Sequence, residues 1–299
     1  MQQQDETQID ETIPQTKFRD FFALLKPKVM SLVVFIGFAG YWVAPDRDHL
    51  HPFLAFIGIL SLALGAGASG AFNMWFERDI DALMKRTQSR PLPMGKMEPD
   101  DALGFSIFMS IMAVMMMSLA TNPVAALVLA VASLFYILIY TVWLKRITPQ
   151  NIVIGGAAGA FPPMVGYAMV TGSVTIESII LFLIVFFWTP PHFWALALYA
   201  NEDYKRANIP MMPVIAGERK TKIQMLVYAI LLLPITLAPY FLGFAGILYG
   251  MTAFVLGLFF IFTAVRVLKD TSHKSAKLMF GYSVFYLFAL FLSLMMDHI

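Results

Sequence analysis

Asn73, Glu77 and Asp81 stand four residues apart in the stretch Asn73-Met-Trp-Phe-Glu77-Arg78-Asp79-Ile-Asp81. On a helix that spacing puts three oxygen donors on one face, a turn apart. Such a row suits Mg2+, a hard cation held by one or two carboxylates together with substrate phosphates. The chain runs on through Arg86 and Arg90, whose planar guanidinium forks take phosphate oxygens in pairs. Carboxylates for a metal beside arginines for an anion describe a diphosphate site. The same residues also fit a solvated loop whose charges serve topology and pair with one another, and both readings stand at this point.

A second constellation follows Trp188-Thr189-Pro190-Pro191-His192-Phe193-Trp194, where Tyr199, Asp203, Tyr204, Lys205 and Arg206 end a long apolar run. Its loop, Asn208-Ile-Pro210-Met-Met-Pro213, echoes Arg90-Pro91-Leu92-Pro93. Acids at a helix end, then basic residues, then a proline-ruled loop form a weak internal repeat. Two such ends meeting would hold two metal ions across one diphosphate, with Asp203 the second-site acid. The pair Pro190-Pro191 is expected to kink its helix. His192 lies about three turns before Asp203, deeper than the acids. It is a candidate ligand for haem iron, a carboxylate partner or a base; a histidine bonded to a neighbouring helix is the plainer alternative. Between the two constellations, Lys145 and Arg146 add positive charge to the acid-bearing side. Lys145 is a catalytic candidate and Arg146 a diphosphate contact, unless both act only as topology determinants.

The elements that must position these groups are apolar spans. The 299 residues are 59% hydrophobic and 13% charged, about half the charged share of a soluble domain. About nine apolar segments recur, near 29–45, 53–75, 102–120, 123–144, 150–171, 175–199, 223–244, 246–267 and 278–297. Each is long enough to cross about 30 Å of hydrocarbon as a helix, and lipid leaves helices as the way to satisfy the backbone. The expected fold is an all-α integral membrane protein. With a cytoplasmic N-terminus, only Arg47 of the 21 Lys and Arg residues falls outside, as the positive-inside rule requires. The C-terminus is then external. Residues 1–28 read as a cytoplasmic, partly disordered tail that turns basic and amphipathic near Phe18–Lys28, and 29–299 as the membrane domain. The absence of cysteine excludes thiolate and disulfide chemistry, and nothing suggests a nucleic-acid partner.

Three stretches, in this order, resemble the UbiA prenyltransferase superfamily and within it the branch that prenylates haem. The first is Asn73-x3-Glu77-x3-Asp81-x2-Met84-x-Arg86-Thr87-x2-Arg90-Pro91-Leu92. The second is Tyr140-Thr141-x2-Leu144-Lys145-Arg146-x-Thr148-Pro149-x-Asn151. The third runs from Trp188 to Trp194, followed by Asp203-Tyr204 and Ile209-Pro210-Met211-Met212-Pro213. The resemblance covers the chain from about Phe21. It implies a UbiA-like bundle of about nine helices around a central cavity, capped by cytoplasmic loops over an Mg2+-dependent prenyl diphosphate site. Asn73, Glu77 and Asp81 become the first metal site and Asp203 joins the second. Many relatives carry Asp-x-x-Tyr-Ala-x-x-Asp there; Tyr199, Ala200 and Asp203 fit it, but Leu196 stands where the first acid would be, which leaves the second metal one carboxylate fewer. The implied reaction joins a farnesyl group from farnesyl diphosphate to a vinyl group of protohaem IX, adds water and releases diphosphate, in a bacterial-type inner membrane. Haem is a substrate, and a haem A synthase is the expected downstream partner. Trp75, Phe76, Phe193 and Trp194 are candidates to shield the allylic cation. Two other functions fit less well. A quinone- or chlorophyll-precursor prenyltransferase lacks a use for His192, and a transporter would place its ion site nearer mid-membrane.

Overall fold

Proline opens four of the long helices at a position where its missing N–H costs nothing: α2 (Pro27–Trp42), α3 (Pro52–Phe76), α5 (Pro99–Ala120) and α6 (Pro123–Leu134). The computed structural model describes residues 16–298. A short helix, α1 (Phe18–Leu24), precedes α2; α4 (Arg78–Leu83) follows α3. Beyond α6 come α7 (Asn151–Thr171), α8 (Ile176–Tyr199), α9 (Asn201–Arg206), α10 (Met212–Ile215), α11 (Glu218–Phe241), α12 (Ile247–Lys269) and α13 (Lys274–Met296). Among the described residues, 8 helices are long and apolar enough to cross a membrane, and α1 with α2, bent by 53°, passes the same test of length and composition as a pair. The protein is a multi-pass membrane protein, and the spans lie where composition put them.

The helices close on themselves. α2 packs on α7, α7 on α8, and α8 on both α11 and α13, while α13 returns to α2. On the other flank α3 packs on α5 and α6 on α7. The α2–α7 crossing is a backbone contact: a methyl on Gly166 would overlap the Gly37 carbonyl, and one on Gly40 would overlap Pro163. Small residues permit that approach where lipid supplies no hydrophobic drive. Asn122 ties another pair, accepting from the Ala125 amide at 2.9 Å and donating to the carbonyls of Ala168 and Met169 at 2.8 and 3.1 Å. Outward faces stay apolar, as with Ile107, Phe108, Ile111, Met115 and Leu119 on α5, which suits lipid rather than water.

The ends sort by side. Arg47, the basic residue assigned to the outer side, donates to the carbonyls of Trp42 at 2.6 Å and His298 at 3.3 Å. The α2 exit and the α13 end therefore share one face, as an odd number of crossings requires. Asp297 accepts from the Tyr249 amide at 2.9 Å on that face too. The expected disordered stretch falls mostly on 1–15, outside the described residues. Its amphipathic end is α1, with Phe18, Arg19 and Phe22 exposed and Asp20 and Leu24 buried.

Candidate active site

Both acid-bearing ends break in the same way. α3 stops at Glu77 (φ −101°, ψ 14°) and restarts as the six-residue α4; α8 stops at Ala200 (φ −100°, ψ 16°) and restarts as the six-residue α9. The repeat seen in the residues is thus repeated in backbone geometry. Asn73, Glu77 and Asp81 do not ride one continuous helix, yet all three are buried and line one cavity of about 370 Å3.

Each of the three is held by a cation. Lys145 Nζ lies 2.5 Å from Glu77 Oε2, Arg90 Nη1 2.6 Å from Asp81 Oδ2, and Lys26 Nζ donates to Asn73 Oδ1 at 3.0 Å. Asn73 Nδ2 reaches Thr141 Oγ1 at 3.3 Å. Arg86 also lines the cavity and joins no ion pair among the described residues. Four basic side chains therefore face two carboxylates, a surplus that favours a multiply charged anion.

The donor set also fits Mg2+. No group of three His, Cys, Asp or Glu converges among the described residues, so the protein alone does not complete a shell. Glu77 Oε1 is nevertheless sealed without a hydrogen-bond partner. A buried carboxylate oxygen left over in this way asks for a partner, and one or two carboxylates plus phosphate oxygens is the usual Mg2+ arrangement.

Away from the charges the cavity becomes apolar and aromatic, lined by Tyr136, Tyr140, Trp188, Phe193 and Leu196, with His192 among them. The α6 span continues as a π-helix, Phe135–Leu144, in which the Lys145 amide bonds back to the Tyr140 carbonyl at 3.0 Å. A π-turn widens the helix and commonly marks a functional site; here Tyr136, Tyr140 and Lys145 all face the cavity.

A model of the UbiA prenyltransferase family matches residues 33–293. The chain is a member of that family. This UbiA prenyltransferase is 53% identical to a protein of Rickettsia bellii named protoheme IX farnesyltransferase, over 94% of this chain and 93% of that one. It is equally similar, at 53%, to protoheme IX farnesyltransferase 2 of Mesorhizobium japonicum, over 99% and 96% of the two chains. The fold is shared with a digeranylgeranylglyceryl phosphate synthase (TM-score 0.78, 20% identity, covering 94% of this chain and 98% of that one). It is shared too with a UbiA homolog from Archaeoglobus fulgidus solved with GPP and Mg2+ (TM-score 0.68, 17% identity, covering 92% and 99%).

Within this UbiA prenyltransferase the structure brings Asn73, Glu77, Asp81, Arg86, Arg90, Lys145 and His192 to one cavity. Asp203 and Arg146 are not in its lining. Asp203 sits 3.8 Å from Arg206, one turn on, while its neighbour Tyr204 turns inward. Arg146 pairs with Asp79 at 2.8 Å on the rim; burial pushes the Asp79 carboxyl up, but that arginine outweighs it and leaves the group below its ordinary value. Of the aromatics expected around a cation, Phe193 lines the cavity. Trp194 is instead packed edge-on against Tyr228 of α11, and Trp75 and Phe76 lie under Arg78 and Arg146. α8 carries Pro190 and Pro191 as one uninterrupted helix. Lys26 is the residue that sequence reasoning missed. Its one local signal is its place directly before Pro27; its left-handed backbone (φ 51°) and its reach to Asn73 are tertiary facts.

Proposed function

We propose that this chain transfers the farnesyl group of farnesyl diphosphate to a vinyl group of protohaem IX, with addition of water, giving haem O and diphosphate. One observation carries the reading. A single cavity holds a cationic, carboxylate-bearing end suited to diphosphate and an aromatic interior that contains an imidazole. The names of relatives 53% identical over nearly the full chain support the acceptor.

Diphosphate enters at the polar end, where Arg86 is free to take it and Arg90 and Lys145 are within reach of it. Asn73, Glu77 and Asp81 would hold Mg2+ between protein and phosphate oxygens. When bound, the ion neutralises charge on the departing diphosphate. Arg86, Arg90 and Lys145 share that task as preorganised cations in a site of low dielectric. Tyr136, Tyr140 and Phe193 line the cavity and supply aromatic rings to stabilise positive charge as it grows on the farnesyl C1. The apolar wall keeps water from that carbon until the vinyl group has attacked. Water then quenches the cation left on the former vinyl carbon and loses a proton. Asp203 and Arg146 serve a second metal and the diphosphate rim only after leaving Arg206 and Asp79.

We place the cationic end on the cytoplasmic face of a bacterial-type inner membrane, with the C-terminus outside and a haem A synthase taking the product. Purified protein given labelled farnesyl diphosphate, Mg2+ and protohaem IX should yield haem heavier by one farnesyl group and one water, read by mass spectrometry. Label on a quinone precursor, with haem left unmodified, overturns the acceptor. Uptake into vesicles without any covalent product overturns the enzyme.

A further inference from the structure

His192 is more constrained than a packed histidine needs to be. Its ring is stacked between Trp188 (centroids 4.3 Å apart, planes 17° apart) and Phe280 (4.7 Å, 22°), with Phe193 edge-on at 5.2 Å. Both faces of the imidazole are covered, so any ligand must approach in the ring plane, at a nitrogen. One of the two nitrogens is already engaged: Nδ1 lies 2.6 Å from Ser283 Oγ on α13.

The direction of that bond depends on where the serine proton goes. A serine hydroxyl has one proton to give, and Ser283 Oγ donates to the Phe280 carbonyl at 2.6 Å. With that proton on the Phe280 carbonyl, the Ser283 oxygen is open to accept from His192, the arrangement in which Nδ1 carries the hydrogen and Nε2 keeps its lone pair. Trp188 Nε1 donates to the Ser283 carbonyl at 2.8 Å and locks the same turn of α13 against α8. Nε2 makes no hydrogen bond among the described residues, is not one of the sealed polar atoms, and belongs to a side chain that lines the cavity. A neutral imidazole whose other N–H is anchored on an oxygen is how metal-binding histidines are held.

We infer that Ser283 is a positioning residue that fixes His192 in the Nδ1–H tautomer and so presents Nε2 as an in-plane donor to the iron of the acceptor haem. This rests on the haem reading above. In that arrangement the histidine does not enter the bond-making step. It sets which part of the porphyrin faces the polar end of the cavity.

Ferric protohaem titrated into the purified, detergent-solubilised protein tests this by its optical and electron paramagnetic resonance spectra, without turnover. The wild-type protein should show an imidazole-ligated spectrum. His192→Ala should lose it, and free imidazole in the buffer should restore it. Ser283→Ala should weaken ferric haem binding by about tenfold and shift the spectrum toward weaker ligation. Ser283→Thr, which keeps the hydroxyl, should match wild type. Metal-free protoporphyrin should bind with the same affinity to wild type and Ser283→Ala, since it has no iron to ligate. A wild-type spectrum in His192→Ala overturns the ligation, and one in Ser283→Ala overturns the positioning role. Misfolding of Ser283→Ala leaves the decision with imidazole rescue of His192→Ala and with Ser283→Thr, whose departure from wild type would also overturn it. Haem binding to no form of the protein, alongside farnesylation of another acceptor, rejects the haem reading itself.

Discussion

Asp81 has two jobs that its geometry makes separable. Its side chain pairs with Arg90, and its carbonyl accepts from Thr87 Oγ at 2.9 Å, which ties down the start of the cationic loop. Asp81→Ala removes the first and keeps the second. Turnover of farnesyl diphosphate should fall by at least about a hundredfold while the protein still inserts and elutes as a single species. Normal turnover would mean that the metal assignment is wrong. Lys26 bears on the same chemistry from the opposite side, because it holds the Asn73 amide in place. Lys26→Ala should weaken diphosphate binding by about tenfold, the scale of one charge-assisted hydrogen bond, as read by isothermal titration with inorganic diphosphate and Mg2+. Unchanged affinity would reduce Lys26 to packing.

At the scale of elements, the close α2–α7 crossing and the α12–α13 turn each depend on one or two residues. Gly166→Ala would drive a methyl into the Gly37 carbonyl, and the backbone must shift to relieve it. A loss of about 1–3 kcal/mol is expected from such overpacking, seen as a lowered thermal midpoint in detergent. The turn is held by Asp270, whose carboxylate accepts from the Ser275 amide at 2.7 Å and from Ser272 N and Oγ, both at 2.8 Å. Those bonds, with the Ser275 amide first, hold the carboxyl well below the usual carboxylate range. A depressed folded value means that the contribution is present above the ordinary pKa and is lost as pH falls through the lowered one. At neutral pH Asp270→Ala should therefore lower amide protection factors across 271–275, and wild-type protection factors there, corrected for the intrinsic exchange rate, should be steady from neutral to mildly acidic pH. Equal exchange in the two proteins at neutral pH would show that the carboxylate does not hold the turn.

For the whole molecule, topology is the open physical quantity, and the lack of cysteine makes it measurable without background. Single cysteines at exposed Asp48 and exposed Lys96 lie on opposite ends of the spans. In intact cells Asp48→Cys should react with a membrane-impermeant maleimide, and Lys96→Cys should react only after lysis. The reverse pattern would invert the orientation and place the diphosphate end outside. The closed packing from α2 through α7, α8 and α13 back to α2 makes the cavity a property of the assembled ring. No single helix pair encloses it.

How much was legible in the chain divides along the range of the forces involved. Span positions are local properties, set by hydropathy, and they survive in the structure; the four-residue spacing of Asn73, Glu77 and Asp81 still delivers all three to one cavity, although the helix it implied breaks at Glu77. The similar breaks at Glu77 and Ala200 followed the same repeat. Contacts between distant segments were not legible. Lys26 meets Asn73 across 47 residues, Lys145 meets Glu77 across 68, and His192 meets Ser283 across 91. Each depends on which helix faces stand opposite one another, a choice made by packing and not recorded in either segment alone. For the same reason Trp194 turned into the core, against Tyr228. Residue type and spacing determined what chemistry this chain carries; only the closing of the bundle decided which of those groups share a cavity.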